Sequence, residues 1–176
     1  LTAVFTALVV WIIGLAVPVT ASYIICAVIA APALIKLGVP DFAAHMFIFY
    51  YSILSEVSPP TALSPFAAAA LTGGDPYKTT MQAWKYTLPA FLVPFNFTLH
   101  PDGVALLLKG NPFDIVWTFI TALVGIFALA AGMDGWMFKK AKGYERVILI
   151  VAGLALVYPS WVYDMVGLAL VGVAVF

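Results

Sequence analysis

Charge is scarce in this sequence. Asp, Glu, Lys and Arg make up 9% of the 176 residues, and they balance to a net charge of zero. Soluble domains carry about a quarter charged residues, so too few are present here to cover a water-facing surface. The balance also leaves no basic or acidic field that would point to nucleic acid as a partner. Cysteine is scarcer still. Cys26 stands alone in an apolar stretch, which excludes an internal disulfide and a cysteine zinc cluster and makes it a small packing residue. No pair of histidines or carboxylates has metal-ligand spacing. No serine, histidine and acid fall together in one element, and no glycine loop is shaped to cradle phosphate. An enzyme is therefore not expected, nor a cofactor.

What is present is apolar residue. Hydrophobic residues make up 64% of the chain, and the mean hydropathy is +1.08. Several stretches approach the roughly 20 residues that cross a bilayer. The competing reading, a very apolar soluble core subunit, runs against the usual composition of soluble domains. The chain opens at Leu1 inside one apolar run and closes at Phe176 inside another. Its start lacks the basic region and cleavage site of a signal peptide, so a piece of a longer protein is expected.

The apolar pattern fails at informative places. Leu1 to Ile13 has helical character, Gly14 to Thr20 breaks it, and Ala21 to Leu37 resumes it. Pro18 lacks an amide donor and disfavours a helical residue before it. The break carries no charge and little turn polarity, which favours a re-entrant hairpin over two full spans. Non-helical backbone at membrane depth must be buried in protein or line a wet cavity. Asp41 is expected to N-cap an aromatic-rich helix, Phe42 to Val57. That helix meets Ser58-Pro59-Pro60-Thr61, and apolar helix returns from Ala62 to Leu71. One straight helix over 41–72 would run roughly 48 Å. A single crossing, broken near its middle at Ser58-Pro59-Pro60, fits better.

Beyond Gly73-Gly74-Asp75-Pro76, residues Tyr77 to Tyr86 read as a short interfacial helix, with Trp84 and two lysines at headgroup depth. Leu88 to Leu99 and Phe113 to Ala131 read as spans, and Val147 to Val157 with Met165 to Phe176 as a final pair. Four of the eight Lys and Arg lie between 139 and 146, which places that loop in the cytoplasm. Counting back then puts Pro101 to Asn111 outside and Lys78 and Lys85 inside.

Among single residues, Glu56 is the one acid inside an expected membrane segment. Such groups are rare and often functional, though a simple cap explains it equally well. His45 reads as a structural hydrogen-bonder and His100 as an interfacial polar group. Asp134, Glu145 and Asp164 read as solvated span ends. The two breaks are the sharper signal. Gly14 to Thr20 and Ser55 to Thr61 each offer freed carbonyls, a hydroxyl and the start of a new half-helix. Freed carbonyls suit a hard cation such as sodium, and half-helix N-termini suit an anion. Ordinary kinks are the alternative.

At these residues the sequence resembles the fused permeases of the tripartite ATP-independent periplasmic (TRAP) transporters, TAXI subclass. Val17-Pro18-Val19-Thr20-Ala21-Ser22-Tyr23 is similar to the hairpin-tip motif, and 43–51 to the helix that follows. Glu56-Val57-Ser58-Pro59-Pro60-Thr61 is similar to the acidic-x-threonine-proline-proline break. Gly74-Asp75-Pro76 with Ala83-Trp84-Lys85 resembles the next linker helix, and 158–168 the C-terminal hairpin. The resemblance implies an elevator-type transport domain, driven by sodium, that takes a small organic anion from a periplasmic binding protein in the bacterial inner membrane. By matching position, Gly14, Val17, Pro18 and Thr20 belong to the tip, and Ser58, Pro59, Pro60 and Thr61 to the break. Tip and break together imply a sodium site beside the substrate site. Ala16 stands where a second glycine is usual, and Val19 and Ser58 where threonine is usual. Ala16 narrows backbone freedom, and Val19 loses a hydroxyl that Ser58 keeps.

The expected fold is an all-α polytopic membrane protein. A re-entrant hairpin and a broken transmembrane helix occupy residues 1–111, the second half of a transport domain. Accessory transmembrane helices occupy 112–176. The inverted partner half is expected upstream. A structural or assembly subunit and a passive anion channel are the other classes.

Overall fold

The computed structural model describes residues 1–137 and 139–175. Phe138, in the expected basic loop, and Phe176, the end of the final run, lie outside them. Among the described residues the regular elements are helices, with no β-strand. The chain forms two compact units, Leu1–Thr98 and Leu99–Phe176. The Pro101–Leu107 turn thus belongs with the C-terminal helices.

In the N-terminal unit, α1 (Thr2–Gly14) and α2 (Val19–Lys36) make the hairpin, and both pack on α3 (Asp41–Leu54). The link between α1 and α2 is short because Pro18 ends in extended backbone and becomes the N-cap of α2. The N-cap of α3 is Pro40 rather than the expected Asp41, which is the first helical residue. Proline before the helix already holds an extended φ, and the Asp41 carboxylate then sits in the first turn, where the macrodipole favours it. A 3-10 turn, Ser55–Val57, continues α3, and α4 (Leu63–Thr72) begins past the prolines. Gly73, in the left-handed region at φ 70°, closes α4. Asp75 accepts from the Lys78 amide at 2.8 Å and opens α5 (Pro76–Thr87).

The expected continuous span Leu88 to Leu99 is instead a 3-10 turn, Leu88–Phe91, followed by the short α6 (Val93–Leu99). Pro89 and Pro94 each remove an amide donor within six residues, and two such losses so close together break the helix here. The piece is held by aromatics. Tyr51 Oη donates to the Phe91 carbonyl at 2.6 Å, and Phe95 meets Phe47 edge-on at 5.4 Å. The aromatic stripe of α3 is therefore packing. His45 acts as a structural group, bonded to Tyr23 Oη at 3.1 Å, and Cys26 is buried.

In the C-terminal unit, α7 (Pro112–Asp134), α8 (Gly143–Val157) and α9 (Trp161–Val175) pack in sequence. On α7, residues Phe113, Val116, Ile120, Leu123 and Phe127 are exposed, while Thr118, Thr121, Gly125 and Gly132 are buried. Large apolar residues outside and small or hydroxylated residues inside are the arrangement expected where lipid is the solvent. At 23 residues, α7 is about 34 Å long, enough to cross the roughly 30 Å hydrocarbon core. The 18 residues of α2 also make a helix long and apolar enough to cross a membrane. Arg146 closes the end of α7, donating from Nε to the Gly132 carbonyl at 3.0 Å and from Nη2 to that of Met133 at 2.9 Å.

Two residues expected to be solvated are not. Asp164 is 3% and Glu145 7% exposed. Asp164 Oδ2 accepts from Trp117 Nε1 at 2.8 Å. Glu145 folds back onto the helix start, accepting from the Lys142 amide at 2.7 Å. A hydrogen bond within the unit replaces water at one carboxylate oxygen in each case.

Candidate functional site at the hairpin tip and the broken helix

The tip and the break face one another. Residues Gly14 to Pro18 line a cleft together with Ser55, Glu56, Thr61 and Leu63. Its volume is about 250 Å³. Four half-helix ends meet there: the C-terminal ends of α1 and α3, and the N-terminal ends of α2 and α4. Carbonyl ends carry partial negative charge and amide ends partial positive charge. Proline adds to the first set. A continuous helix would pair the Gly14 carbonyl with the amide of residue 18 and the Glu56 carbonyl with that of residue 60. Both positions are proline, so neither carbonyl has that donor. One small cleft thus offers carbonyl oxygens and a carboxylate for a cation, next to helix N-termini suited to an anion.

The contact between tip and break is tight. A Cβ at Gly14 would stand 2.6 Å from Ser55 Oγ and 2.8 Å from Ser55 Cβ. Behind the cleft wall, Trp11 Nε1 donates to Ser58 Oγ at 2.9 Å, and Ser58 Oγ donates to the Leu54 carbonyl at 2.7 Å. One lone pair of the Ser58 hydroxyl stays uncommitted. Ser52 and Ser55 donate back to the Ile48 and Ser52 carbonyls at 2.9 and 2.6 Å. Hydroxyls returned to carbonyls of the preceding turn loosen and bend a helix. Ser22, Ser52, Ser55 and Ser58 are all buried.

At the break Ser58 is extended (φ −96°, ψ 137°), and the Pro59–Pro60 bond is cis. Ala62 lies in the left-handed region at φ 37°, ψ 49° as the N-cap of α4, a conformation that costs about 1–2 kcal/mol for a residue with a Cβ. Its surroundings impose it: the Ala62 amide donates to the Ser58 carbonyl at 3.0 Å, and its carbonyl accepts from Phe66 at 3.0 Å. Strain of this kind gathers at functional sites.

Of the residues expected at the site, Gly14, Val17, Pro18, Glu56 and Thr61 line the cleft. Ser58 lies buried behind it, and Pro59 and Pro60 form the turn that creates it. Thr20 does not join them. It is exposed on the first turn of α2, while Ser22 is buried. Two residues are about 200° apart around a helix, so only one of the pair faces inward. Sequence reasoning passed over Trp11 and the Ser22 and Ser52 hydroxyls as site-building groups. Their signal was a polar stripe at 52, 55 and 58, three residues apart and so on one helix face, and the one indole of α1.

Discontinuous helices that meet at a cleft define a class, the helical membrane transporters. Residues 1–102 match the family model described as Tripartite ATP-independent periplasmic transporter, DctM component. The match covers more than half of the chain, and the protein belongs to that transporter family. Residues 115–171 match a second model, described as Domain of unknown function (DUF3394). No curated protein and no solved structure matches the chain.

Proposed function

We propose that this chain is the C-terminal part of the large membrane subunit of a fused TAXI-subclass TRAP permease. It sits as a multi-pass protein in the bacterial inner membrane. With an upstream inverted half it imports a small organic anion handed over by a periplasmic binding protein, coupled to sodium. We assign the second half of the elevator domain, expected over 1–111, to the compact unit Leu1–Thr98, with α1 and α2 as a re-entrant hairpin, and the accessory part to the unit Leu99–Phe176. The observation that carries the reading is the shared cleft of tip and break, where carbonyl ends, the Glu56 carboxylate and two helix N-termini converge. Sodium would take carbonyl oxygens at Gly14 and Glu56, and the anion would face the N-termini of α2 and α4.

The test is uptake by the complete transporter, with its binding protein, in sodium and in choline media. Ser58→Val is compared with Ser58→Thr. Loss of sodium dependence in the valine variant and its retention in the threonine variant support the reading. Undiminished coupling with valine removes the ion role of Ser58. Flux without a sodium gradient or binding protein marks a passive channel, and transport indifferent to polar substitution at both breaks marks a structural subunit.

A further inference from the structure

The C-terminal unit holds a cleft that the transport reading leaves unused. It lies between the Pro101–Leu107 turn and the N-terminal ends of α7 and α9, with a volume of about 260 Å³. At its wall stands Asp164, 3% exposed. One carboxylate oxygen, Oδ2, is held by Trp117 Nε1, but the other, Oδ1, is buried without a hydrogen-bond partner among the described residues. A buried carboxylate oxygen without a donor costs free energy. Asp164 itself lines the cleft, so a ligand seated there lies against its carboxylate.

The remaining wall identifies what would satisfy it. Asp102, Asp114 and Asp164 line the cleft against one lysine, Lys109. The two helix N-termini add about half a positive charge each, which leaves the cleft near one negative charge. That sum suits a monovalent cation. No group of three or more His, Cys, Asp or Glu among the described residues could hold a metal ion. The space far exceeds the roughly 30 Å³ of a water molecule. Part of the wall is apolar: Val104, Pro159 and the stacked Trp117 and Trp161 rings, 4.8 Å apart and 6° from parallel. The Thr118, Thr121 and Ser160 hydroxyls on the same wall can accept hydrogen bonds.

We propose that this cleft binds a primary ammonium group, –NH3⁺, carried on a short carbon chain. The ammonium donates to Asp164 and the neighbouring hydroxyls, and the chain lies along the indoles. The same chemistry occurs in a free alkylamine and in the ethanolamine headgroup of a phospholipid.

Two measurements on the purified permease test this. Calorimetry with ethylammonium in phosphatidylcholine nanodiscs reads the free amine. Native mass spectrometry after exposure to mixed phosphatidylethanolamine and phosphatidylcholine reads the lipid. Binding in either arm that falls at least roughly tenfold in Asp164→Asn supports the site, and the arm that responds identifies the source. Asparagine still accepts from Trp117 but lacks the charge. Thr121→Val keeps the carboxylate and the side-chain shape, and a several-fold loss is expected even should Asp164→Asn misfold. Absence of binding in both arms, or binding equal in wild type and both variants, overturns the proposal.

Discussion

Gly14 and Ser55 touch across the gap between hairpin tip and broken helix, and no side chain fits between them. A methyl group on Gly14 would fall 2.6 Å from Ser55 Oγ and 2.8 Å from its Cβ. Because Ser55 Cβ is itself part of the clash, Ser55→Ala relieves it only in part and Ser55→Gly removes both contacts. Gly14→Ala is expected to destabilise the N-terminal unit by about 1–3 kcal/mol and to impair uptake. The double variant Gly14→Ala with Ser55→Gly should recover part of both. Thermal unfolding in detergent and uptake in vesicles read the two effects, and a Gly14→Ala protein with wild-type stability contradicts the packing.

Trp11 and Ser58 form a pair that a double-mutant cycle isolates. Ser58→Val leaves the partly buried indole N–H without its acceptor, at a cost of about 1 kcal/mol. Once Trp11→Phe has removed the donor, the same valine should cost much less. Additive losses would mean that the 2.9 Å contact contributes nothing to stability.

Ala62 is the strained residue of the break, at φ 37°. Glycine has no Cβ to oppose that conformation, so Ala62→Gly should raise the unfolding free energy by up to about 1 kcal/mol. Transport should survive, since the Ala62 amide and carbonyl still bond Ser58 and Phe66. A clear fall in melting temperature would show that relief of the left-handed turn is outweighed by the packing lost with the methyl group.

Packing of α7 against α8 depends on hydrogen atoms standing where side chains usually are. A Cβ at Gly153 would meet Leu129 Cγ at 2.5 Å and the Gly125 carbonyl oxygen at 2.7 Å, while one at Gly172 meets nothing within 4 Å. Gly153→Ala should lower stability by about 1–3 kcal/mol, and Gly172→Ala should be neutral or stabilising by up to about 1 kcal/mol through helix propensity. Similar melting temperatures for the two variants would contradict this helix pairing.

Glu145 precedes the apolar run that begins at Val147. The hydrogen bond from the Lys142 amide holds its carboxyl below the ordinary carboxylate range, helped by the charges of Lys139 and Lys142 against the opposing effect of burial. A lowered folded pKa means that the unfolded chain takes up the proton first as pH drops. The stabilisation is complete above the ordinary carboxylate pKa and is lost as pH falls through the folded value. Melting temperature between pH 7 and pH 3 should therefore fall more in wild type than in Glu145→Gln. Parallel curves would count against the linkage.

The resemblance of the first hundred residues to a TRAP permease, and both breaks, were legible in the sequence. Proline cannot donate, and glycine cannot fill space, wherever the chain places them, so Pro18, Pro59 and Pro60 announce themselves without coordinates. Leu88 to Leu99 misled because apolar composition suggested a span, while Pro89 and Pro94 dictated short turns. Thr20 shows the finer limit. Its hydroxyl sits in the right motif, but the helix begins at Val19 and turns it outward.

What the sequence by itself determined is local: the absence of charge that demands an apolar surrounding, the missing amides that end helices, and the basic loop. Only the tertiary structure decided which ends meet. It brought Gly14 against Ser55 and Trp11 to Ser58, and it buried Asp164 beside Trp117 where the sequence suggested a solvated end. Contacts between residues some forty positions apart depend on how whole helices pack, and no local propensity encodes that distance.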